Sequence, residues 1–351
     1  MKKLFIILAI ILVMGALLLG GCTTSTPAPA PALTPAPAPA PAPEPEFVIH
    51  NASGQPPKGV QSAAIIFWGE LLEARSNGRI KVEHHWSGAL GPTKAVLDMI
   101  QANTMDGLTH GPPGVYISHM VPWLDLTSLP FTFSSWEEEW VAYDTWLGPL
   151  LTEDLEKNGY KVIAVREGGF RQFMSNKRPI HTPDDLKGLK YRVQPGEIET
   201  RVAEAWGVIP AVMGFGEVYS ALEAGVVDAI DFPIFSSIPL KFFEVTEYTS
   251  VAHVKHSSMC QLMNKEYFDS LPADVQEIIM GASKDAFNLE RIQILNEEQV
   301  ATKKLEGMGQ KFVYVTPENR AKFRELVKPV YAWAAENYDK AMVERLTGMK
   351  F

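Results

Sequence analysis

Short hydrophobic segments with strand-like alternation are separated along this chain by amphipathic segments with helical periodicity. The pattern is clearest in the middle of the chain, where strands are predicted at residues 189–193, 208–213 and 226–232. Helices are predicted between them at residues 197–206 and 217–223, with glycines at the breaks. Strands that alternate with helices in this way pack as parallel neighbours in one sheet. The pattern therefore predicts an α/β fold.

The same alternation continues through the rest of the chain beyond residue 46. Residues 273–305 have apolar positions at helical spacing and no proline, which predicts one unusually long helix. Two more helices are predicted within residues 317–346. About 305 residues are too many for one ordinary core and indicate two α/β lobes. The other predicted elements are strands at 47–50, 80–85, 105–108, 159–165 and 312–315, and helices at 61–76 and 92–102.

The beginning of the chain has a different pattern. Lys2 and Lys3 precede an apolar run over residues 4–19, and Cys22 follows two glycines. These features are typical of a lipoprotein signal peptide. An ordinary signal peptide or a membrane anchor is the alternative, although a spanning helix needs about 20 apolar residues. We expect residues 1–21 to be removed and Cys22 to carry a lipid that anchors the chain to a membrane.

Residues 22–46 are rich in proline and alanine, a composition that favours an extended, semi-rigid tether. Removal of Lys2 and Lys3 changes the formal net charge from −9 to −11, which argues against a nucleic-acid partner. The cysteines are Cys22 and Cys260. With lipid on the first, no disulfide pair is left, and Cys260 is predicted to be a buried packing residue.

Catalytic and metal-binding motifs are absent from the sequence. It contains no H-E-x-x-H, no paired C-x-x-C, no P-loop and no complete G-x-G-x-x-G. His84 and His85 are neighbours on a predicted strand, so their side chains point to opposite faces and do not form a pair of metal ligands. The sequence predicts neither enzymatic activity nor a cofactor.

Several phrases of the chain resemble one known family. They include DLKGLKYRV at residues 185–193 and FGEVYSALEAGVVD at 215–228, with NGRIKV, LPF and MNK in the flanks. In this order they resemble the DctP-like extracytoplasmic solute-binding proteins of tripartite ATP-independent periplasmic (TRAP) transporters. The resemblance covers essentially the whole chain after the tether. It implies a two-lobed periplasmic binding protein fold, with a ligand cleft between the lobes and a long helix spanning both.

The resemblance also implies an organisation and a function. Lobe I is expected to comprise residues 47–168 with 258–297, and lobe II residues 169–257 with 298–351. Such a receptor binds a small carboxylate outside the cytoplasm and delivers it to the TRAP permease subunits in the membrane. The ligand expected first is a monocarboxylate such as a 2-oxo or 2-hydroxy acid. The alternatives are a dicarboxylate or sugar-acid receptor of the same transporter class, a ligand sensor that signals to a membrane kinase and, less readily, an enzyme.

Site residues follow from the same resemblance. Arg192 occupies the position of the family's carboxylate-binding arginine, and a planar guanidinium suits two parallel hydrogen bonds to a carboxylate. The resemblance gives Arg171 as a second arginine and Phe215 as an aromatic residue that packs on the ligand. Asn51 and Trp68 are expected where the first lobe faces the cleft.

One position departs from the family pattern. Many members that bind sugar acids or dicarboxylates have asparagine where this chain has Phe232. The pair Asp231-Phe232 instead resembles a branch that takes 2-oxo or 2-hydroxy monocarboxylates, sometimes with a bound cation. In this interpretation Phe232 covers an apolar substrate tail, and Asp231 and Gln194 bind a Ca²⁺ or Na⁺ ion. The alternative is that Asp231 forms an ion pair and Phe232 only packs.

Overall fold

The computed structural model describes residues 44–110 and 114–351. The predicted signal peptide, Cys22 and nearly all of the predicted tether lie outside these residues. Nine strands of the described part form one sheet in the order β2-β1-β3-β8-β4-β7-β5-β6, and β9 pairs with β8. The strands are β1 Phe47–Ser53, β2 Ile80–His85, β3 Gly107–His110, β4 Tyr160–Ser175, β5 Lys190–Val193, β6 Ile209–Val212, β7 Ala229–Pro233, β8 Tyr248–Asn264 and β9 Lys311–Tyr314.

Helices cover the sheet, so the predicted α/β fold is confirmed. The parallel pairing of β5 with both β6 and β7 confirms the parallel strand pattern predicted for the middle of the chain. The helices are α1 Val60–Arg75, α2 Thr93–Gln101, α3 Gly114–Ile117, α4 Trp136–Ala142, α5 Gly148–Lys157, α6 Glu197–Ala205, α7 Val218–Glu223, α8 Ile234–Ser237, α9 Lys265–Ser270, α10 Ala273–Gly307, α11 Pro317–Leu326, α12 Lys328–Asn337 and α13 Lys340–Thr347.

Two long antiparallel strands, β4 and β8, form the middle of the sheet. The first of them was predicted at residues 159–165, but the strand continues to Ser175. The pair has register shifts, one of them between Glu167 and Gly169, and a bulge of this kind lets a strand bend without ending. At one end β8 pairs with β3, and at the other end β4 pairs with β7. These two strands therefore join the two halves of the molecule.

The long helix predicted at residues 273–305 is confirmed as α10, which has 35 residues. It packs against α1, β4 and α8, which belong to different parts of the fold. At the chain end the prediction of two helices was wrong, because three are present. Val327 separates α11 from α12, and the backbone is extended at Tyr338 before the side chain of Asp339 caps α13.

The largest apolar cluster is shared between the two halves of the sheet. It includes Val96 and Leu97 of α2 together with Phe173 of β4, Tyr191 of β5 and Tyr331 of α12. The predicted burial of Cys260 is confirmed. No helix within the described residues has the length and apolar character needed to cross a membrane.

Candidate ligand-binding site

A cavity lies where the ends of β5 and β7 meet the middle of β4 and β8. It has about 470 Å³ of empty space, part of it open to solvent. Here we call it the central cavity. It is lined by the cations Arg171 and Arg192, by the polar side chains of Gln55, Gln61, Tyr116, Gln194, Ser236 and Ser257, by Gly168, and by the apolar side chains of Phe215, Phe232, Pro233 and Met259.

Arg192 is the buried cation of this cavity that has no acidic partner. It lies near the end of β5, and only 2% of its surface is exposed. Its Nη2 donates to the carbonyl of Met213 at 3.2 Å, whereas its Nε has no hydrogen-bond partner. Among the described residues no carboxylate forms an ion pair with it. Burial, and then the charge of Arg171, lower the pKa of Arg192. The site thus holds a positive charge that its surroundings do not compensate.

Arg171 is bound to Asp231 of the neighbouring strand. Strands β4 and β7 pair antiparallel, with Arg171 opposite Pro233. Asp231 lies two residues before Pro233, so its side chain is on the same face of the sheet as that of Arg171. The Nε of Arg171 donates to Asp231 Oδ2 at 2.5 Å, and its Nη2 donates to the Asp231 carbonyl. Burial opposes the charge of Arg171, but Asp231 outweighs it and raises the pKa of the guanidinium. Arg171 is therefore held in a fixed position at the wall of the cavity.

Asp231 has two more partners behind the cavity. The hydroxyl of Tyr191 donates to Asp231 Oδ1 at 3.0 Å, and Lys255 Nζ lies 3.3 Å from Oδ2. Lys255 in turn donates to Glu199 at 2.7 Å. Burial works in the other direction, but Arg171 and Lys255 hold the pKa of Asp231 below its usual value. This network contains two cations and two carboxylates, so it is neutral, and Arg192 provides the excess charge.

The predicted cation site at Asp231 is corrected by these contacts. Arg171, Tyr191 and Lys255 already occupy the carboxylate oxygens that a Ca²⁺ or Na⁺ ion needs. Gln194 does line the cavity. The alternative given for Asp231, an ion pair, is the arrangement that the structure contains.

Two aromatic residues form the apolar wall of the cavity. The rings of Phe215 and Phe232 stack with 6.0 Å between their centroids. The guanidinium carbon of Arg171 lies 5.1 Å from the centroid of Phe232, and Phe242 packs on the same ring in a T-shaped arrangement. The two phenylalanines predicted for the site therefore lie together beside the two arginines.

Asn51 and Trp68 do not line the cavity, so their expected placement at the cleft is corrected. Both are fully buried. The side chain of Gln261 donates to Asn51 Oδ1 at 2.9 Å, which links β1 to β8 across the intervening strand. Trp68 packs in the core between α1 and α10, where its ring lies 6.4 Å from that of Phe287. The helix face that carries Trp68 points to the core because its neighbours Ile65 and Leu72 are apolar.

Several residues of the site were not found from the sequence. Gln55, Gln61 and Tyr116 come from the part of the chain before β4 and meet Ser257 and Met259 of β8 only in the folded chain. A signal was available for Lys255, because a lysine in the middle of an apolar strand needs a buried acidic partner. The identity of that partner depends on tertiary packing.

Comparisons with known proteins agree with this geometry. The family model DctP, described as "Bacterial extracellular solute-binding protein, family 7", matches residues 51–337. The chain is similar to the 2,3-diketo-L-gulonate-binding periplasmic protein of Escherichia coli (strain K12), with 30% identity over 246 residues, or 70% of this chain and 74% of the relative. It is also similar to the C4-dicarboxylate-binding periplasmic protein of Rhodobacter capsulatus, with 29% identity over 293 residues, or 82% and 85% of the two chains.

A solved structure has the same fold. It is the sugar acid binding protein of Advenella mimigardefordensis strain DPN7T in complex with galactonate, which superimposes with a TM-score of 0.83 at 25% identity. The superposition covers 87% of this chain and 97% of that one.

Proposed function

The chain belongs to family 7 of the bacterial extracellular solute-binding proteins, and from this premise we propose that it is the receptor of a TRAP transporter. It binds a small organic acid outside the cytoplasm and passes it to a membrane permease. It catalyses no reaction itself. In this proposal residues 1–21 are removed and a lipid on Cys22 anchors the receptor, and mass spectrometry of the membrane-extracted protein tests that part.

The observation that carries the proposal is the buried charge of Arg192. A buried cation without an acidic partner is costly, and a ligand carboxylate would provide the missing charge. The Nε of Arg192 has no partner and the guanidinium lines the central cavity. Arg171, held by Asp231, lies at the same wall. Hydrogen bonds from these buried guanidinium groups to a carboxylate would be strong because they are charge-assisted.

The other groups of the cavity indicate the class of acid. Gln55, Gln194, Ser236 and Ser257 offer donors and acceptors around the arginines for hydroxyl or carbonyl groups of the ligand. This lining supports a hydroxylated acid such as a sugar acid. The relative of known structure, bound to galactonate, supports the same class.

A second candidate is a 2-oxo or 2-hydroxy monocarboxylate with an apolar tail. The stacked rings of Phe215 and Phe232 favour it, because an apolar wall has no hydrogen bonds for the hydroxyls of a long sugar acid. Both candidates use Arg192 for the carboxylate and differ in what fills the remainder of the cavity.

Ligand binding is proposed to bring the two lobes together. Residues 47–168 with 258–297 would move relative to residues 169–257 with 298–351. The register shift of β4 between Glu167 and Gly169 supports a bend at this boundary. Closure would exclude water from the carboxylate, and the closed form would be the one that the permease recognises.

The proposal is tested by calorimetric titration of the chain from residue 44 with galactonate, galacturonate, succinate, pyruvate and lactate. Arg192→Ala is expected to weaken the binding of the preferred acid by about 30-fold to a few thousand-fold, equivalent to about 2–5 kcal/mol. Arg192→Lys keeps the charge but loses the planar fork, so its affinity is expected to lie between those of the parent and the alanine variant.

Arg201→Ala is the matched control, because Arg201 lies on α6 in the same half of the molecule and its ion pair with Glu197 is exposed. Its affinity is expected to equal that of the parent. An Arg192→Ala variant that keeps its circular dichroism spectrum and binds the acid as tightly as the parent would overturn the proposed role of Arg192.

A further inference from the structure

A second group of ionisable side chains is buried beside the long strands. It consists of Glu139 of α4, Glu167 of β4 and His256 of β8, here called the Glu–His cluster. Their exposed fractions are 3%, 4% and 7%. Each residue offers one ligand atom, and these atoms all lie within 4.8 Å of one another. Neither the family resemblance nor the proposed function uses these residues.

One ring nitrogen of His256 has a hydrogen-bond partner and the other has none. Its Nε2 lies 2.6 Å from Glu167 Oε1. Its Nδ1 has no hydrogen-bond partner and lies 3.4 Å from Glu139 Oε1. The second oxygen of Glu139, Oε2, is also buried without a partner. Two ligands on a tetrahedral zinc ion with bonds of about 2.0–2.1 Å are about 3.3–3.4 Å apart. The free nitrogen and the Glu139 carboxylate have this spacing.

Glu167 is firmly positioned as the partner of the imidazole. The indole Nε1 of Trp140 donates to its Oε2 at 2.8 Å, and the backbone N–H of Gly169 donates to its Oε1 at 2.8 Å. An imidazole that binds a metal through one nitrogen commonly donates its other N–H to a carboxylate, which fixes the tautomer. The contact between Glu167 and His256 Nε2 has this arrangement.

The charge of the cluster also favours a cation. It contains two carboxylates and one imidazole, and the nearby arginines have acidic partners of their own. Arg291 is paired with Asp144 at 2.9 Å, and Arg166 with Glu290 at 2.5 Å. Buried carboxylates need a proton or a cation to balance their charge, and burial raises the pKa of Glu139, so a metal ion would take the place of a proton there.

We propose that the Glu–His cluster is a binding site for a divalent transition metal such as Zn²⁺, which is bound by Nδ1 of His256 and the carboxylate of Glu139 while Glu167 orients the imidazole. Nitrogen and carboxylate ligands suit Zn²⁺. Water completes the coordination. The ion would hold α4 against β8 and, through Glu167, against β4.

A groove reaches the cluster at Glu167. It is lined by Glu167 and by Tyr143, Asp144, Glu153, Glu277 and Arg291. Carboxylates at the opening of a groove raise the local concentration of cations. The groove is separate from the central cavity, although Gly168 and Ser257, which line that cavity, directly follow Glu167 and His256 in the chain.

The site is tested by titrating the metal-stripped full domain, residues 44–351, with Zn²⁺ by calorimetry and with Co²⁺ by visible absorption. One ion per chain is expected. His256→Gln and Glu139→Gln are each expected to weaken Zn²⁺ binding by at least 100-fold, and Glu167→Gln by about 10–100-fold because it acts through the imidazole. Thermal unfolding of each variant without metal shows whether it is folded.

His85→Gln is the matched control, because His85 lies 3.3 Å from His50 near the protein surface and is another place where Zn²⁺ can bind. This variant is expected to retain the affinity of the parent. Loss of binding in His85→Gln with binding unchanged in His256→Gln would overturn the proposal, as would the absence of binding at micromolar Zn²⁺. Anomalous diffraction at the zinc edge from parent crystals locates the ion without any variant, and a peak away from His256 Nδ1 would also overturn it.

Discussion

At the scale of single residues, Asp231 compensates the charges behind the central cavity. It accepts hydrogen bonds from Arg171 and Tyr191 and lies beside Lys255, and its own surface is 2% exposed. Two cations share this carboxylate, so the geometry of Arg171 depends on it. A neutral residue at this position would leave the positive charges of Arg171 and Lys255 buried with only Glu199 to balance them.

Asp231→Asn is therefore expected to destabilise the protein by about 3–5 kcal/mol, the usual cost of removing one partner of a buried ion pair. The folded-state pKa of Asp231 lies below the unfolded value, so this stabilisation is present above about pH 4 and is lost as the pH falls. Urea unfolding at pH 7 measures the difference. The control is Asp285→Asn, which breaks an exposed pair with Arg75 and is expected to cost less than about 1 kcal/mol. Equal unfolding midpoints for the two variants would contradict the prediction.

Glu298 of α10 makes stability depend on pH in the opposite direction. Its Oε2 is buried without a partner, and burial raises its pKa to about 8. In the unfolded chain the pKa is about 4.3. The folded protein thus binds the proton more tightly, and the contribution of Glu298 is lost as the pH rises from about 4.3 to about 8.

Glu298→Gln removes this loss. The variant is expected to match the parent near pH 5 and to be more stable at pH 8 by roughly 2–4 kcal/mol, measured by urea unfolding at both values. Glu306→Gln, at an exposed position of the same helix, is expected to show no such pH-dependent gain. A parent-like stability of Glu298→Gln at pH 8 would show that the carboxylate ionises without cost in the folded state.

At the scale of elements, the sequence predicted local patterns well and long-range ones less well. Strand β2 begins and ends where its alternation predicted, and α10 is only two residues longer than predicted. The length of β4 was missed because its bulges depend on the partner strand β8, which is far away in the chain. The missed third helix at the chain end has a similar cause, since an extended residue rather than a proline divides α12 from α13.

For the binding site, too, local features were predicted better than long-range ones. The position of Arg192 near the end of a strand could be predicted from its neighbours in the chain. Trp68 was placed wrongly because a buried indole looks the same in sequence whether it faces a cleft or a core. The pair Lys255 and Glu199 joins residues 56 apart, so no local pattern contains it.

Gly168 shows how closely β4 and β8 approach at their bulge. A Cβ atom at this residue would lie 2.2 Å from the carbonyl oxygen of Ser257. Gly168→Ala is therefore expected to force the strands apart and to destabilise the protein by about 1–3 kcal/mol or more. Gly307→Ala is the control, because a Cβ at that helix position meets nothing within 4 Å. Chemical unfolding measures both, and a parent-like stability of Gly168→Ala would mean that the bulge adjusts freely.

At the scale of the whole molecule, the two halves are joined by shared strands and a shared helix. The described residues form one compact unit, the sheet is continuous through β8 and β4, and α10 packs along α1, β4 and α8. Any closure of the lobes must therefore bend this sheet at the bulges of its two longest strands. Gly168 lies at the bulge proposed as the hinge and also lines the central cavity, so a ligand there would lie beside the part of the backbone that is proposed to move.

The shared core makes unfolding cooperative. Apolar residues of both halves, among them Leu97 and Phe173, belong to one cluster, so neither half keeps its core when the other unfolds. Scanning calorimetry of residues 44–351 is expected to show one transition whose calorimetric and van't Hoff enthalpies agree. An acid at a hundred times its dissociation constant is expected to add about 2.7 kcal/mol of stability and to move this single transition as a whole. Two transitions, of which the ligand moves only one, would mean that the lobes are independent folding units and that the continuous sheet does not couple them.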